Sequence, residues 1–132
     1  MSEWKFRDYQ RPVANGHEVL VNEILEWTRA QPKKAQAKID AIVLSLQGFP
    51  VWPAQYVSAL KGCPDILELR IKSGGVQYRP LGCYGPGARE FTLLVGTIEK
   101  GGAIPKGDCD KAVTRRKRVL SEGWPTCEHE FA

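Results

Sequence analysis

The sequence predicts an α+β fold, with an N-terminal helical hairpin packed on one side of a curved antiparallel sheet and a further helix near the C-terminus. Three patterns support this: helical spacing of apolar residues between positions 18 and 46, strand-like alternation between 66 and 84, and helical spacing again after position 108. The predicted order is one strand, two helices, three meandering strands and one helix.

The N-terminal elements are predicted from two different periods. Trp4 to Tyr9 alternates apolar and charged residues as a strand does, and the Asn15-Gly16 pair predicts a turn after it. From Glu18 to Ala30 the apolar residues follow helical spacing. Pro32 then begins a second helix that ends near Gly48 or Pro50. Its apolar positions are Ala35, Ile39, Ile42 and Leu46. The short link between the two helices predicts that they form a hairpin.

The stretch from Ile66 to Leu81 predicts a β-hairpin. Leu67, Leu69 and Ile71 alternate with Glu68, Arg70 and Lys72, and Gly74-Gly75 can adopt the positive backbone torsions of a tight turn. Val76 to Tyr84 would return antiparallel and bring Arg79 near Arg70 and Lys72. The hairpin therefore places three cations where a polyanion could bind.

The remaining elements follow from an apolar run and a helical pattern. Phe91 to Ile98 is almost continuously apolar, which predicts a strand buried on both faces near the sheet centre. Asp108 can cap a helix from Cys109 to about Ser121. We expect one domain over residues 1–132, with a core at about 18–121 and a mobile tail at 122–132.

Composition excludes several classes of protein. With 42% hydrophobic and 26% charged residues, the chain resembles soluble globular proteins. It has no run of about 18 apolar residues that could span a membrane, and its N-terminus lacks an apolar signal core. We therefore expect a cytoplasmic protein. The four cysteines lack ligand spacing, so we expect reduced thiols and no metal site. They are Cys63, Cys83, Cys109 and Cys127.

Positive charge is concentrated in one half of the chain. Residues 61–120 carry twelve Lys and Arg against six Asp and Glu, whereas residues 121–132 carry three acids and no base. This asymmetry favours an anionic partner such as nucleic acid, and an ordinary solvated basic face is the alternative.

Between residues 18 and 121 the chain resembles the RelE/HigB superfamily of bacterial type II toxins, and in particular its phage-derived HigB-like branch. The resemblance depends on the order of several short pieces: a helical hairpin, LKGCPDILELRI, Tyr78-Arg79, TLLVGTIEK, Pro105 and DKAVTRRKRVL. It implies a RelE-like fold and a ribosome-dependent endoribonuclease that cuts messenger RNA without a metal or other cofactor. It also implies neutralisation by an antitoxin, expected to be a small helix-turn-helix protein, and contact with operator DNA only through that complex.

The resemblance also implies roles for individual residues. Cleavage by the 2′-hydroxyl needs a base, an acid and cations that stabilise the charged phosphorane. The residues expected to be catalytic are Arg79, Arg70, Lys72 and Lys100, and those expected to bind RNA are Lys106, Lys111, Arg115 and Arg118. His129 is a possible general acid or base because imidazole titrates near neutrality.

Each role has an alternative. Arg79 could form a cross-strand ion pair, for example with Glu68, and Arg70 and Lys72 could be ordinary exposed strand residues. The basic run at 115–118 could be a solvated face or an antitoxin-binding surface. Tyr78 and Tyr84 are expected in the core rather than as base-stacking groups.

The sequence departs from the family pattern at two places. Pro80 directly follows Arg79 and must lie at an edge, a bulge or a strand end, and there is no tyrosine near Cys109. Two other functions remain open: a ParE-like inhibitor of DNA gyrase, and a catalytically silent phage-derived protein that only binds an antitoxin.

Overall fold

The computed structural model describes residues 3–13 and 16–132, and it contains a mixed β-sheet with helices on both faces. In chain order the elements are β1 (Lys5–Val13), β2 (Gly16–Asn22), α1 (Glu23–Arg29), α2 (Lys33–Gly48), β3 (Val57–Ala59), β4 (Leu67–Leu69), β5 (Ile71–Ser73), β6 (Val76–Tyr78), β7 (Leu81–Tyr84), β8 (Glu90–Val95), α3 (Lys106–Ser121) and β9 (Thr126–Glu128). Within these described ranges, no helix has the length and apolar character needed to cross a bilayer.

The large sheet has the strand order β2-β1-β8-β7-β4-β3, and β9 also pairs with β1. Strands β5 and β6 form a separate two-stranded sheet. The prediction of a purely antiparallel sheet is wrong, because β1 and β8 run parallel. The central position predicted for the apolar strand is confirmed, since β8 has β1 on one side and β7 on the other.

The prediction of an N-terminal helical hairpin is wrong, because a β-hairpin precedes the helices. Gln10 pairs with Asn22 and Arg11 with Val21, so the segment predicted to begin the first helix is strand β2 instead. The side-chain oxygen of Asn22 accepts a 3.0 Å hydrogen bond from the Leu25 amide, which caps α1 and starts it at Glu23. In the turn predicted at Asn15-Gly16, Asn15 lies outside the described residues.

Helices cover both faces of the sheet, which corrects the expectation that they pack on one side. Successive residues of β8 point to opposite faces. Leu93 packs in the cluster that contains Val43 of α2, and Leu94 packs in the cluster that contains Ala112 of α3. The sheet therefore separates two apolar cores.

The predicted β-hairpin is confirmed with a break in each arm. Gly74 and Gly75 have φ of 58° and 77° and join β5 to β6. The first arm breaks at Arg70, and the second breaks at Arg79-Pro80, between β6 and β7. Pro80 thus occupies a strand end, as its missing amide donor requires.

The segment predicted as a mobile tail contains β9. Its residues pair antiparallel with β1, Arg7 opposite Glu128 and Tyr9 opposite Thr126. Before it, the Trp124 indole N–H donates a 2.7 Å hydrogen bond to the Gln10 carbonyl. These contacts attach the end of the described chain to the first strand.

Gly96 provides a test of the packing between α1 and the end of β8. A Cβ atom on Gly96 would collide with the Trp27 ring, so Gly96→Ala should lower the free energy of unfolding by about 1–3 kcal/mol. Gly107→Ala is the matched control, because a Cβ there meets nothing within 4 Å and Gly107 lies in a helix. Urea denaturation of both variants measures the difference, and equal stability of the two would contradict this packing.

Candidate functional site

A cleft of about 680 Å³ opens between β3, the loop after β8 and the first turn of α3. It is lined by residues 58–63 and 102–104 together with Glu68, Arg70, Glu99, Lys106, Cys109 and Asp110. Two of the residues predicted to contact RNA, Arg70 and Lys106, therefore meet in one concave site. Lys61 joins them there, although the sequence analysis did not assign it a role.

Helix α3 presents its N-terminal end to this cleft. The helix begins at Lys106, earlier than the predicted Cys109, and its N-cap residue Pro105 supplies no side-chain hydrogen bond. Asp108, which was predicted to cap the helix, instead accepts a hydrogen bond from the Thr97 hydroxyl. The first backbone N–H groups of the helix and its positive dipole end therefore add to the charge of Lys106.

A disulfide joins two walls of the cleft. Cys63 follows β3 and Cys109 lies in the first turn of α3, and their Cα atoms are 5.9 Å apart. The expectation of four reduced thiols is therefore wrong for this pair, while Cys83 and Cys127 are free. Sequence spacing gave no signal, because the two cysteines are separated by 46 positions and meet only through the tertiary fold.

Arg79 lies beneath the cleft rather than on its surface. The residue is only 3% exposed, and its Nε atom lies 3.2 Å from Glu68 Oε1. One terminal nitrogen lies 3.8 Å from Glu99 Oε2 and donates to the Gln77 side chain at 2.9 Å, and the other donates to the Tyr78 carbonyl. The alternative of an ion pair with Glu68 is thus confirmed. The guanidinium is engaged by protein groups and has almost no surface to offer a phosphate.

Glu68 and Glu99, the carboxylates paired with Arg79, also line the cleft. A second cation, Arg70, lies 3.5 Å from Glu68 with its side chain 43% exposed. Arg79 offsets the charge of the buried Glu68 and of the partly exposed Glu99 from below. At the surface of the cleft the three exposed cations Lys61, Arg70 and Lys106 then outnumber the exposed acid Asp110. The site is consequently suited to an anionic ligand.

The other two strand cations predicted to be catalytic lie outside the cleft lining. Lys72 is exposed on β5, in the separate two-stranded sheet. Lys100 is exposed and forms an isolated β-bridge with Ala103, beside the cleft wall. The structure therefore does not gather Arg70, Lys72, Arg79 and Lys100 at one point.

The predicted basic row on α3 is largely occupied by structural contacts. Arg115 is 8% exposed; it donates to both carboxylate oxygens of Glu23 and to the Leu94 carbonyl. Arg118 donates to the Tyr9 hydroxyl at 3.0 Å. Of the row, Lys111 is exposed to solvent. The row thus joins α3 to β1, α1 and β8 and does not form a continuous track for RNA.

His129 lies at another part of the molecule. Its Nδ1 atom is 2.8 Å from Oδ1 of Asp8, which is completely buried in β1. It borders a pocket shared with Trp4, Gln47 and Glu90, residues that do not line the cleft. His129 is therefore not placed to exchange a proton with a ligand in the cleft.

The two tyrosines considered for base stacking differ in environment. Tyr78 is buried, as expected for a core residue, but Tyr84 is 47% exposed, and the expectation of burial is wrong for it. Burial of its remaining surface raises the pKa of the Tyr84 hydroxyl. Tyr84 borders an apolar groove of about 470 Å³ with Trp4, Trp52 and Val51. Sequence reasoning did not identify this groove, because its residues come from distant segments.

Metal ligands do not gather in the part of the chain that the structure describes. There, no three His, Cys, Asp or Glu side chains are arranged so that they could hold a metal ion.

Comparison with known proteins gave one match. Residues 26–117, which include the cleft and most of α3, match the family model described as Phage derived protein Gp49-like (DUF891). This family is a RelE/HigB-type toxin family. No curated protein and no solved structure matches the chain significantly.

Proposed function

Because the chain belongs to the Gp49-like family of phage-derived proteins, we propose that it is the toxin of a toxin–antitoxin pair and that it cleaves messenger RNA on the ribosome. The family is associated with toxins of such pairs, which suggests an antitoxin as the partner protein. The finer assignment to RNA cleavage is supported by the cleft.

The observation that carries the proposal is the meeting of exposed cations with a helix N-terminus in one cleft. Lys61, Arg70 and Lys106 line it, and the first turn of α3 forms part of its wall. Side-chain cations and backbone N–H donors both bind phosphate oxygens, so this combination suits a phosphate diester. All three cations lie within the segment that matches the family model.

The cleft residues suit the central step of RNA cleavage. The 2′-hydroxyl loses its proton to a base while its oxygen attacks phosphorus, which forms a phosphorane that carries extra negative charge. The bond to the 5′-oxygen then breaks, and a proton returns to that oxygen, which leaves a 2′,3′-cyclic phosphate and a 5′-hydroxyl. Arg70 can offer two parallel N–H donors to phosphorane oxygens, and Lys106 adds a compact charge. The carboxylates of Glu99 and Asp110 line the same cleft and are our candidates to accept the 2′-hydroxyl proton.

Arg79 has a positioning role in this proposal. It holds the carboxylates of Glu68 and Glu99 in the cleft wall and does not contact the substrate. Loss of activity in an Arg79→Ala variant would therefore not identify a catalytic residue, because removing Arg79 leaves the buried Glu68 with only the exposed Arg70, 3.5 Å away.

Cleavage of a messenger RNA bound to translating ribosomes tests the proposal. We expect Arg70→Gln and Lys106→Gln each to lower the cleavage rate by about 100-fold, since each removes a charge that faces the phosphorane. Lys117→Gln is the matched control, because Lys117 is exposed on the same helix α3 but does not line the cleft. Thermal melts establish that the variants remain folded.

Two results would contradict the proposal. One is wild-type protein that cleaves no message on translating ribosomes, and the other is cleavage that survives both cleft substitutions unchanged. If induced expression instead blocks DNA supercoiling while translation continues, the gyrase-inhibitor alternative is favoured.

A further inference from the structure

Strand β3 is an open edge of the large sheet. It is the terminal strand in the sheet order and pairs with β4 on one side. The Tyr56 carbonyl accepts from the Arg70 amide, and the Leu60 amide donates to the Ile66 carbonyl, so residues 56, 58 and 60 direct their backbone groups toward β4. In an antiparallel pair, residues whose backbone groups face the partner strand alternate with residues whose groups face away from it. The amide and carbonyl of Ala59, the carbonyl of Val57 and the amide of Lys61 therefore point outward.

These outward-pointing amide and carbonyl groups have the spacing that pairing with another strand requires. Ala59 and Lys61 are both exposed. Outside the regular strand ladders, no backbone hydrogen bond between the described residues involves Ala59 or Lys61. The Val57 amide, in contrast, already donates to the Pro53 carbonyl. Exposed edges of this kind are where an extended peptide from another chain can add as a further strand.

The two faces beside this edge differ in chemistry. On the face of Val57, Ala59 and Leu67 lies the apolar groove, with the Val51 side chain 80% exposed at its rim. The cleft, with its exposed cations Lys61 and Arg70, lies on the face of Ser58 and Glu68. An added strand would project alternate side chains into the groove and over the cleft.

We infer that the β3 edge binds an extended segment of a partner protein in which apolar or aromatic residues alternate with acidic ones. The unpaired amide and carbonyl groups favour a polypeptide over RNA, because they match the donor and acceptor pattern of a peptide backbone. The cations of the cleft favour acidic side chains on one face of that segment, and the groove favours apolar side chains on the other.

Binding at this edge would also block the cleft. Acidic side chains of the added strand would lie beside Lys61, Arg70 and Lys106, where the proposed function places an RNA phosphate. Competition with RNA rests on that proposed function, but docking of the peptide does not.

The probe is a fluorescein-labelled heptapeptide with the sequence Glu-Phe-Glu-Val-Glu-Phe-Glu, whose binding to the full chain is followed by fluorescence anisotropy. Its control is Glu-Glu-Phe-Phe-Val-Glu-Glu, which has the same composition but lacks the alternation. We expect the first peptide to bind at least tenfold more tightly than the second.

Two variants test the edge itself. Ala59→Pro removes the outward amide of β3 and leaves the bonds to β4 intact, so it should weaken binding at least tenfold. Val51→Asp places a charge at the rim of the groove and should have a similar effect. Leu44→Asp is the matched control for an exposed apolar side chain, since Leu44 is 62% exposed on α2.

The outcomes separate docking from the proposed function. Equal binding of the two peptides, or undiminished binding by folded Ala59→Pro and Val51→Asp variants, would overturn the inference. So would a finding that these two variants lose affinity for single-stranded RNA and not for the peptide, because the groove would then be an RNA surface. Peptide binding by a protein that cleaves no message on translating ribosomes would support the inference and contradict the proposed function.

Discussion

Replacing Arg115 with methionine should lower the free energy of unfolding by about 3–5 kcal/mol. Methionine keeps much of the length of the side chain but removes the donors to Glu23 and to the Leu94 carbonyl. It also removes the guanidinium that lies 4.6 Å from the centre of the Tyr9 ring. The partly buried Glu23 then keeps only the more exposed Arg11, 3.3 Å away, and the Leu94 carbonyl loses the Arg115 donor. Urea denaturation measures the loss.

The response to pH identifies Glu23 as the partner. Burial raises the pKa of Glu23, but the hydrogen bond and charge of Arg115, with Lys111 and Arg11 adding to them, lower it overall below its ordinary value of 4.5. Ionised Glu23 therefore stabilises the fold above pH 4.5, and this contribution is lost as the pH falls through the lower pKa of the folded state. The acid-induced loss should be smaller in Arg115→Met.

The neighbouring residue provides the control for Arg115. Arg116 is only partly buried and lies 3.9 Å from the exposed carboxylate of Asp65, so Arg116→Met should change stability by less than about 1 kcal/mol. Equal effects of the two substitutions would show that Arg115 does not hold α3 against α1 and β8.

Local sequence patterns predicted the elements that are determined by residues close together in the chain. The Gly74-Gly75 turn and the apolar run of β8 need no information from distant parts of the chain. Both were predicted, although β8 ends at Val95 rather than at Ile98. Strand β2 was missed because its apolar residues also fit a helical period. Its pairing with β1 and the cap at Asn22 decide the structure, and neither follows from periodicity.

The site was only partly predictable for a related reason. Sequence identified Arg70 and Lys106 as phosphate-suited cations, but their meeting with Lys61 depends on where α3 packs relative to β3. Whether a strand arginine is free or paired depends on which acids the fold places beside it. Arg79 is paired because β4 and the end of β8 bring Glu68 and Glu99 to it.

Opening the Cys63–Cys109 disulfide should lower the free energy of unfolding by about 4 kcal/mol. The bond closes a loop of 46 residues, and the entropy that such a loop removes from the unfolded chain corresponds to this value. Denaturation in urea with and without dithiothreitol measures the difference. Because Cys63 and Cys109 both line the cleft, reduction should also weaken binding of RNA there.

The two free cysteines, Cys83 and Cys127, provide controls for the disulfide prediction. Burial raises the pKa of Cys83 to about 11, and burial with the charge of Asp8 raises the pKa of Cys127, so both thiols should react slowly in the folded protein. Unfolded protein should show two reactive thiols before reduction and four after it. Dithiothreitol should destabilise a Cys127→Ser variant as much as the wild type but should have no effect on Cys63→Ser/Cys109→Ser. Four reactive thiols without reductant would show that the disulfide does not form.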